Sequence, residues 1–281
     1  MTPEGCRLIV VGDVHDQWTA EDVAWIDAER ADAVLFVGDL PTMWHRQLLD
    51  VAARVSALRT PALLVPGNHD GPAPTTLVVD ALTAGRRSLG DARRHAQRMD
   101  QLRAALQPVQ LVGYSTHAVG SHAIVACRPH GMDGRRASFG PFLRQRFGVV
   151  DLSSSAARLR RLVRGVPEGR PIVFLAHNGP AGLGAGGPWG VGGRDLGDPD
   201  LTAAVEFARE RGHAVPAVLA GHVHHRGDAG RRRWWVRADG TAYVNAARSP
   251  RIEGGQHYAV GLELVDGVAE VRELRRSVTG G

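Results

Sequence analysis

Apolar runs and helix-like stretches alternate from the start of the chain. Arg7–Val11, Ala33–Val37 and Ala62–Val65 read as buried strands, with Ala20–Glu29 and Arg46–Ala57 as helices between them. Strand, helix, strand is the pattern of a parallel sheet covered by helices. Thr19 with Asp22 three residues later marks a helix start. The pattern resumes with a strand at Pro171–Ala176, a helix at Pro199–Arg211 and a strand at Ala217–Ala220. That helix has Asp198 as N-cap, Pro199 in its first turn and Gly212 past its end. Beyond Gly230, Trp234–Ala238, Thr241–Asn245, Tyr258–Val265 and Val268–Leu274 predict an antiparallel region, with Ala238-Asp239-Gly240 as a hairpin turn. An Arg-rich insert at about 72–150 carries one predicted helix, Asp91–Leu106, and a strand near Ser121–Ala126. A glycine-rich loop spans Gly179–Gly197. No internal repeat divides the chain, so the expectation is one domain over 1–281.

Composition narrows the setting more than the chemistry. The apolar fraction of 43% is that of a soluble protein, and no apolar run approaches the roughly 20 residues that span a bilayer. Two cysteines, Cys6 and Cys127, make no disulfide framework, and no signal-peptide pattern precedes the first strand. The expected setting is the cytoplasm, with no membrane partner. All 34 basic residues are Arg and the net charge is +5. Arg grips phosphate well, but a coding bias toward Arg, Ala and Gly accounts for the surface as a whole more simply.

The chemistry lies at the strand ends. The first strand runs into "GDVHD", with Asp13 and His15, and the second into "GDL", with Asp39. The third ends in "PGNHD", with Asn68, His69 and Asp70. The later strands end in "AHNGP", with His177, and "GHVHH", with His222, His224 and His225. In an open parallel sheet the carboxyl ends share one edge, where ligands bind. Asp13 and His15, like His222 and His224, are two residues apart, which in extended backbone points both side chains the same way, as joint coordination of an ion requires. Each motif alone is weak, but five in order on five strand ends are not.

Imidazole, carboxylate and carboxamide oxygen without thiolate suit Mn first, with Fe, Zn, Ni or Co as alternatives. Asp13, His15, Asp39, Asn68, His177, His222 and His224 are too many for one ion, so two ions bridged by one carboxylate are expected. Such a pair clamps a phosphate and lowers the pKa of a bridging water from about 15.7 towards about 7, supplying a metal-bridging hydroxide.

This ordered set resembles the calcineurin-like metallophosphoesterase superfamily over residues 7 to about 275. The resemblance implies a four-layer α/β/β/α sandwich with its metal site at the C-terminal ends of the strands. It implies that Asp13, His15 and His224 bind one metal, that Asn68, His177 and His222 bind the other, and that Asp39 bridges them. It further implies that His69 stands beside the phosphate as leaving-group acid or transition-state stabiliser, oriented by Asp70. "FLAHNGPAGLG", "GDPDL" and "DGTAYVNAARSPRI" are similar to a branch of that superfamily in cyanobacteria, other bacteria and plastids, whose members have no settled substrate.

The substrate is less legible. Arg128, Arg135 and Arg136 in "CRPHGMDGRRASFGPF" are candidates to cradle a phosphate, and Asn178 follows a ligand strand. His95, His117, His122 and His130 are each more simply structural or exposed. Arg93, Arg94, His95, Arg98 and Arg103 read as one exposed polar helix face, and "GRRRWW" as a basic turn whose tryptophans pack on a core. The expected partner is therefore a phosphorylated substrate of unassigned identity. A nuclease or cyclic-nucleotide phosphodiesterase is the alternative within enzymes. A metal-binding scaffold without catalysis is the alternative outside them, and the presence of every ligand and of His69 speaks against it.

Overall fold

Alternation along the apolar strands decides the layering. Ile9, Val11, Val34, Phe36 and Leu64 join a core with the helical residues Trp25, Ile26, Val51 and Leu102. Leu8, Val10, Leu35, Val37, Leu63 and Val65, on the other face, join a second core with Ile124, Ala126, Val173, Leu175, Leu219 and Val244. A run without polar residues thus marks a strand buried on both faces. The computed structural model describes residues 5–42, 47–71, 92–184, 187–227 and 232–277.

The first sheet is built from β1 (Cys6–Val11), β2 (Ala33–Phe36), β3 (Ala62–Leu64) and β4 (Gln110–Leu111), all parallel. β11 (Ile252–Glu253), β12 (Gln256–Val265) and β13 (Val268–Ser277) complete it, β12 running antiparallel to β1, β11 and β13. The second sheet has the order β5 (Ser115–Val119), β6 (His122–Ala126), β7 (Ile172–Leu175), β8 (Ala217–Ala220), β10 (Thr241–Asn245) and β9 (Trp235–Ala238). The two sheets meet face to face. The helices α1 (Ala20–Ala28), α2 (Leu48–Val55), α3 (Ala92–Leu106), α4 (Gly140–Phe147), α5 (Leu152–Arg164) and α6 (Pro199–Glu210) cover them outside, which makes the α/β/β/α sandwich. Among the described residues no helix is long and apolar enough to cross a membrane.

Several elements differ from expectation. The region beyond residue 231 is antiparallel only in part, because β10 pairs parallel to β8 and so belongs to the sheet opposite β12 and β13. The segment after residue 91 contributes β4 to one sheet and β5 and β6 to the other. The predicted helix start at Asp91 and part of the 72–150 segment lie outside the described residues, as does Arg46. On α3, His95 sits with Met99, Leu102 and Leu106 on the buried face, not on the exposed one that carries Arg93 and Arg94. Trp234 of the "GRRRWW" stretch packs between the sheets as expected; Gly230 and Arg231 lie outside the described residues. α5, absent from the sequence reading, is held by a capping box between Asp151 and Ser154 and buries Ser155, Leu159 and Val163.

Candidate metal centre

All five motif strands run parallel within their sheets, so their polar termini emerge at one end of the sandwich. The backbone turns sharply there. Asp13, His15, Asp39 and His222 have φ of 43°, 45°, 56° and 67°. That left-handed region costs a residue with a Cβ roughly 1–2 kcal/mol, and such strain concentrates at functional sites. Two glycines make room for these turns. A Cβ on Gly67 would collide with Asp39 Oδ1 and the His177 ring, and one on Gly221 with Asp13 Oδ1. The carboxylates therefore lie against bare backbone.

Two donor groups result, each gathered within 4.8 Å: Asp13, His15 and His224 in one, Asp39, His177 and His222 in the other. Both straddle the sheets, since the carboxylates and His15 follow β1 and β2 while the other histidines follow β7 and β8. The joint pointing expected of His222 and His224 does not hold. The left-handed turn at His222 sends the two rings into different groups. In the first group His224 Nε2 is 2.9 Å from His15 Nε2 and 3.0 Å from Asp13 Oδ2. In the second, His177 Nε2 is 2.7 Å from Asn68 Oδ1 and 3.5 Å from Asp39 Oδ2. The His222 backbone N–H donates to Asp13 Oδ1 at 3.1 Å and ties the groups together.

Backbone carbonyls set the tautomers. His15 Nδ1 donates to Pro41 O at 3.1 Å, His177 Nδ1 to Val37 O at 2.6 Å and His222 Nε2 to Met132 O at 3.0 Å. A carbonyl oxygen can only accept, so each ring in its neutral form turns its other nitrogen, as a lone pair, toward the site. Burial lowers the His177 pKa to about 3, so this imidazole is neutral. Its bare Nε2 then faces the Asn68 and Asp39 oxygens, acceptor against acceptor. A cation between them removes the conflict, and the mixed N/O donor set suits a divalent metal ion.

The carboxylates feel opposite pressures. Burial raises the Asp39 pKa well above the ordinary value, and the neighbouring Asp13 and Asp70 raise it further. Burial also works against Asp13, but the His224 hydrogen bond and the surrounding imidazoles outweigh it and hold its pKa low. His69 lies at the rim, its side chain 15% exposed, with Nε2 3.8 Å from Asp39 Oδ2 and its backbone N–H donating to Asp39 Oδ1 at 2.8 Å.

The remaining sequence candidates fall elsewhere. Asp70 does not orient the His69 ring. Its carboxylate accepts from the backbone amides of Gly67, Asp39 and Leu40 at 2.6, 2.9 and 2.8 Å, which locks the second and third strand-end loops together. Arg128 is 2% exposed and is engaged by Asp198 at 2.7 Å and Asp200 at 3.0 Å, so its guanidinium is not offered to a substrate. Asn178 donates to Leu196 O and Asp198 Oδ1 at 2.7 and 2.8 Å and is likewise internal. Arg135 is exposed and Arg136 half-buried, a few residues beyond the Met132 carbonyl that holds His222. His225 stays out of both donor groups. In the glycine-rich loop, Trp189 is buried, and Asp195 accepts from the amides of Gly182 and Gly197. Sequence reasoning missed the carbonyl of Met132, because nothing in a residue's identity marks its backbone oxygen. It also missed the buried cluster of Asp198, Asp200, Ser155 and Tyr114, of which the sequence marks only Asp198, as a helix cap.

Two solved structures share the architecture. One aligns at a TM-score of 0.62 with 11% identity, over 97% of this chain and 100% of its own. TT1561 of Thermus thermophilus aligns at 0.57 with 13% identity, over 95% and 98%. These identities show the fold alone. A metallophosphoesterase from Sphaerobacter thermophilus is 16% identical over 98% of this chain and 89% of its own, at a TM-score of 0.39. No curated protein sequence matches the chain. The family model for calcineurin-like phosphoesterase matches residues 6–226, a span that holds every strand-end donor. The chain belongs to the calcineurin-like phosphoesterase family, whose activity is metal-dependent hydrolysis of phosphoesters.

Proposed function

We propose that this phosphoesterase works with two divalent ions, one in each donor group, bridged by Asp39. The observation that carries the reading is the facing of acceptors at His177 Nε2, Asn68 Oδ1 and Asp39 Oδ2, beside a second group only a hydrogen bond away. Asp13, His15 and His224 would hold one ion, and Asn68, His177 and His222 the other, with Mn the first choice and Fe, Zn, Co or Ni the alternatives. When bound, such ions would supply positive charge to offset the negative charge of the phosphoryl group and would bring the pKa of a water from about 15.7 towards about 7.

The chain's own residues do the rest. Asp70 and Gly67 fix the Asp39 carboxylate against the His69 amide. The His69 ring, at the solvent rim and next to Asp39, delivers the proton from Nε2 to the departing oxygen, or hydrogen-bonds the phosphoryl group as charge builds on it. The deep histidines are held neutral by burial and oriented by carbonyls, so they present lone pairs to the site at neutral pH. The substrate is a phosphate ester whose leaving group lies toward the His69 side.

Metal-stripped protein supplied separately with Mn, Ni, Co, Zn or Mg tests this, using para-nitrophenyl phosphate and bis-para-nitrophenyl phosphate. Turnover that depends on metal and saturates at two ions per chain is the expected result, and ester preference then separates mono- from diesterase. A protein that binds two ions yet cleaves neither ester under any metal counts against the reading.

A further inference from the structure

Two histidines outside the donor groups form a buried pair directly behind the His69 turn. His130 is fully buried, and His95 comes to it from α3 with its ring stacked on Phe142 at 3.9 Å between centroids. Their Nε2 atoms are 3.1 Å apart, and His130 Nδ1 lies 2.6 Å from the Gly67 carbonyl oxygen. The His130 backbone N–H donates to Pro66 O at 2.8 Å. A Cβ on Gly71 would run into both rings, so the pair also presses on the far end of the turn. It thus grips residues 66–71 at both ends, and Asn68 and His69 lie between. Asp70 holds the same turn from the opposite side through the Gly67 and Asp39 amides.

The protons of this pair follow from its partners. The Gly67 oxygen can only accept, so Nδ1 of His130 carries a hydrogen. Burial lowers the His130 pKa to about 4 and the His95 pKa to about 2, and Arg128 and Arg98 push in the same direction. Both rings are therefore neutral, His130 Nε2 is a bare acceptor and His95 Nε2 donates to it. The chain runs one way, from His95 to His130 to the Gly67 carbonyl. His130 also holds φ of 59°, a left-handed conformation like that of the ligand residues, although it is no ligand itself.

Resting on the phosphoesterase reading above, we infer that His130, braced by His95, is a positioning residue that sets the Gly67–Asn68–His69 turn through the Gly67 carbonyl. It touches neither the ions nor the substrate. Groups that orient ligands in this way change activity or metal affinity by about 10–100-fold when removed.

Two substitutions separate positioning from space-filling. Asn places an N–H near the position of imidazole Nδ1, so His130→Asn keeps the bond to Gly67. Gln places its N–H near Nε2, so His130→Gln loses that bond at similar bulk. In the metal-free protein, the imidazole nitrogen resonances of His69 should stay in place in H130N and move in H130Q. In the metal-loaded protein, kcat should stay within about threefold of wild type in H130N and fall about 10–100-fold in H130Q, with KM little changed. The double variant H69N/H130Q should lose less than the two single losses combined, because His130 acts in part through His69. Equal behaviour of H130N and H130Q in both readouts overturns the inference, as does a full additional loss on top of H69N. Should H130Q not fold, His95→Phe removes the brace while keeping an aromatic ring on Phe142. It should then move the His69 resonances, and unmoved resonances overturn the inference. Should the wild-type protein cleave neither ester, the phosphoesterase reading fails, and the His69 resonances still decide the role of His130.

Discussion

The two donor groups are built to one plan and meet solvent differently. Each takes a carboxylate from the first sheet and at least one imidazole from the second, and each carboxylate is essentially inaccessible. In the group of Asp39, His177 and His222, the His177 side chain has no exposure at all. In the group of Asp13, His15 and His224, the His15 side chain is 16% exposed and that of His224 is 47% exposed. The inner group is also tied more tightly, with His177 fixed by Val37 and His222 by Met132, while His224 leans mainly on Asp13. One group is thus part of the core and the other part of the surface. On the two-ion proposal, the inner histidines serve the fold as well as an ion, and the exposed His224 serves chiefly an ion.

The sharpest way to break this comparison is to remove the residue proposed to join the groups. Asp39→Asn keeps the shape and the bond from the His69 amide but removes the charge. The expected loss of kcat is on the order of a thousandfold. Near-normal turnover on the para-nitrophenyl esters, with two ions still bound, would mean that the groups work independently.

The next test sets the inner group against the outer without any metal. His177→Ala opens a cavity in the core and leaves the Val37 carbonyl unpaired. It should lower the unfolding free energy of the metal-free protein by about 2–4 kcal/mol. His224→Ala removes a half-exposed ring and should change it by no more than about 0.5 kcal/mol. Urea titrations of both variants read the difference directly, and equal destabilisation would end the distinction between a core group and a surface group.

Much of this centre was legible because its signals are local. A strand buried on both faces is a run of apolar letters, and Asp13, Asp39, Asn68, His177 and His222 stand directly after such runs. Parallel strands then bring the letters together with no knowledge of side-chain packing. What was illegible depends on partners remote in sequence or on backbone atoms. Arg128 in a glycine-rich stretch reads alike whether it waits for a phosphate or is already held by Asp200, 72 residues further on. Asp70 follows His69, which suggests that it orients the ring, but its oxygens bond amides, which no residue letter announces. The extended reading of Asp13 and His15 missed the positive φ at both, because Asp and His carry no mark for that region as Gly does. The same limit hid α5: its three serines, Ser153 to Ser155, look like loop, and only the Asp151 cap with the four-residue spacing of Ser155, Leu159 and Val163 shows a helix.

The smallest expected effect concerns the order in which the ions leave. Release from the outer group needs only the half-exposed His224 to swing away, whereas the inner group must part His177 from the Val37 carbonyl inside the core. Local opening is least costly where few buried contacts are lost. A chelator in excess should therefore remove metal in two phases, the fast one belonging to Asp13, His15 and His224. His224→Ala should abolish the fast phase and leave the slow one unchanged, with one ion per chain retained. His15→Ala should do the same, since its ring closes the same group from the other side. Loss of both ions in a single phase, unchanged by either substitution, would show that the difference in exposure has no consequence for how the metals are held.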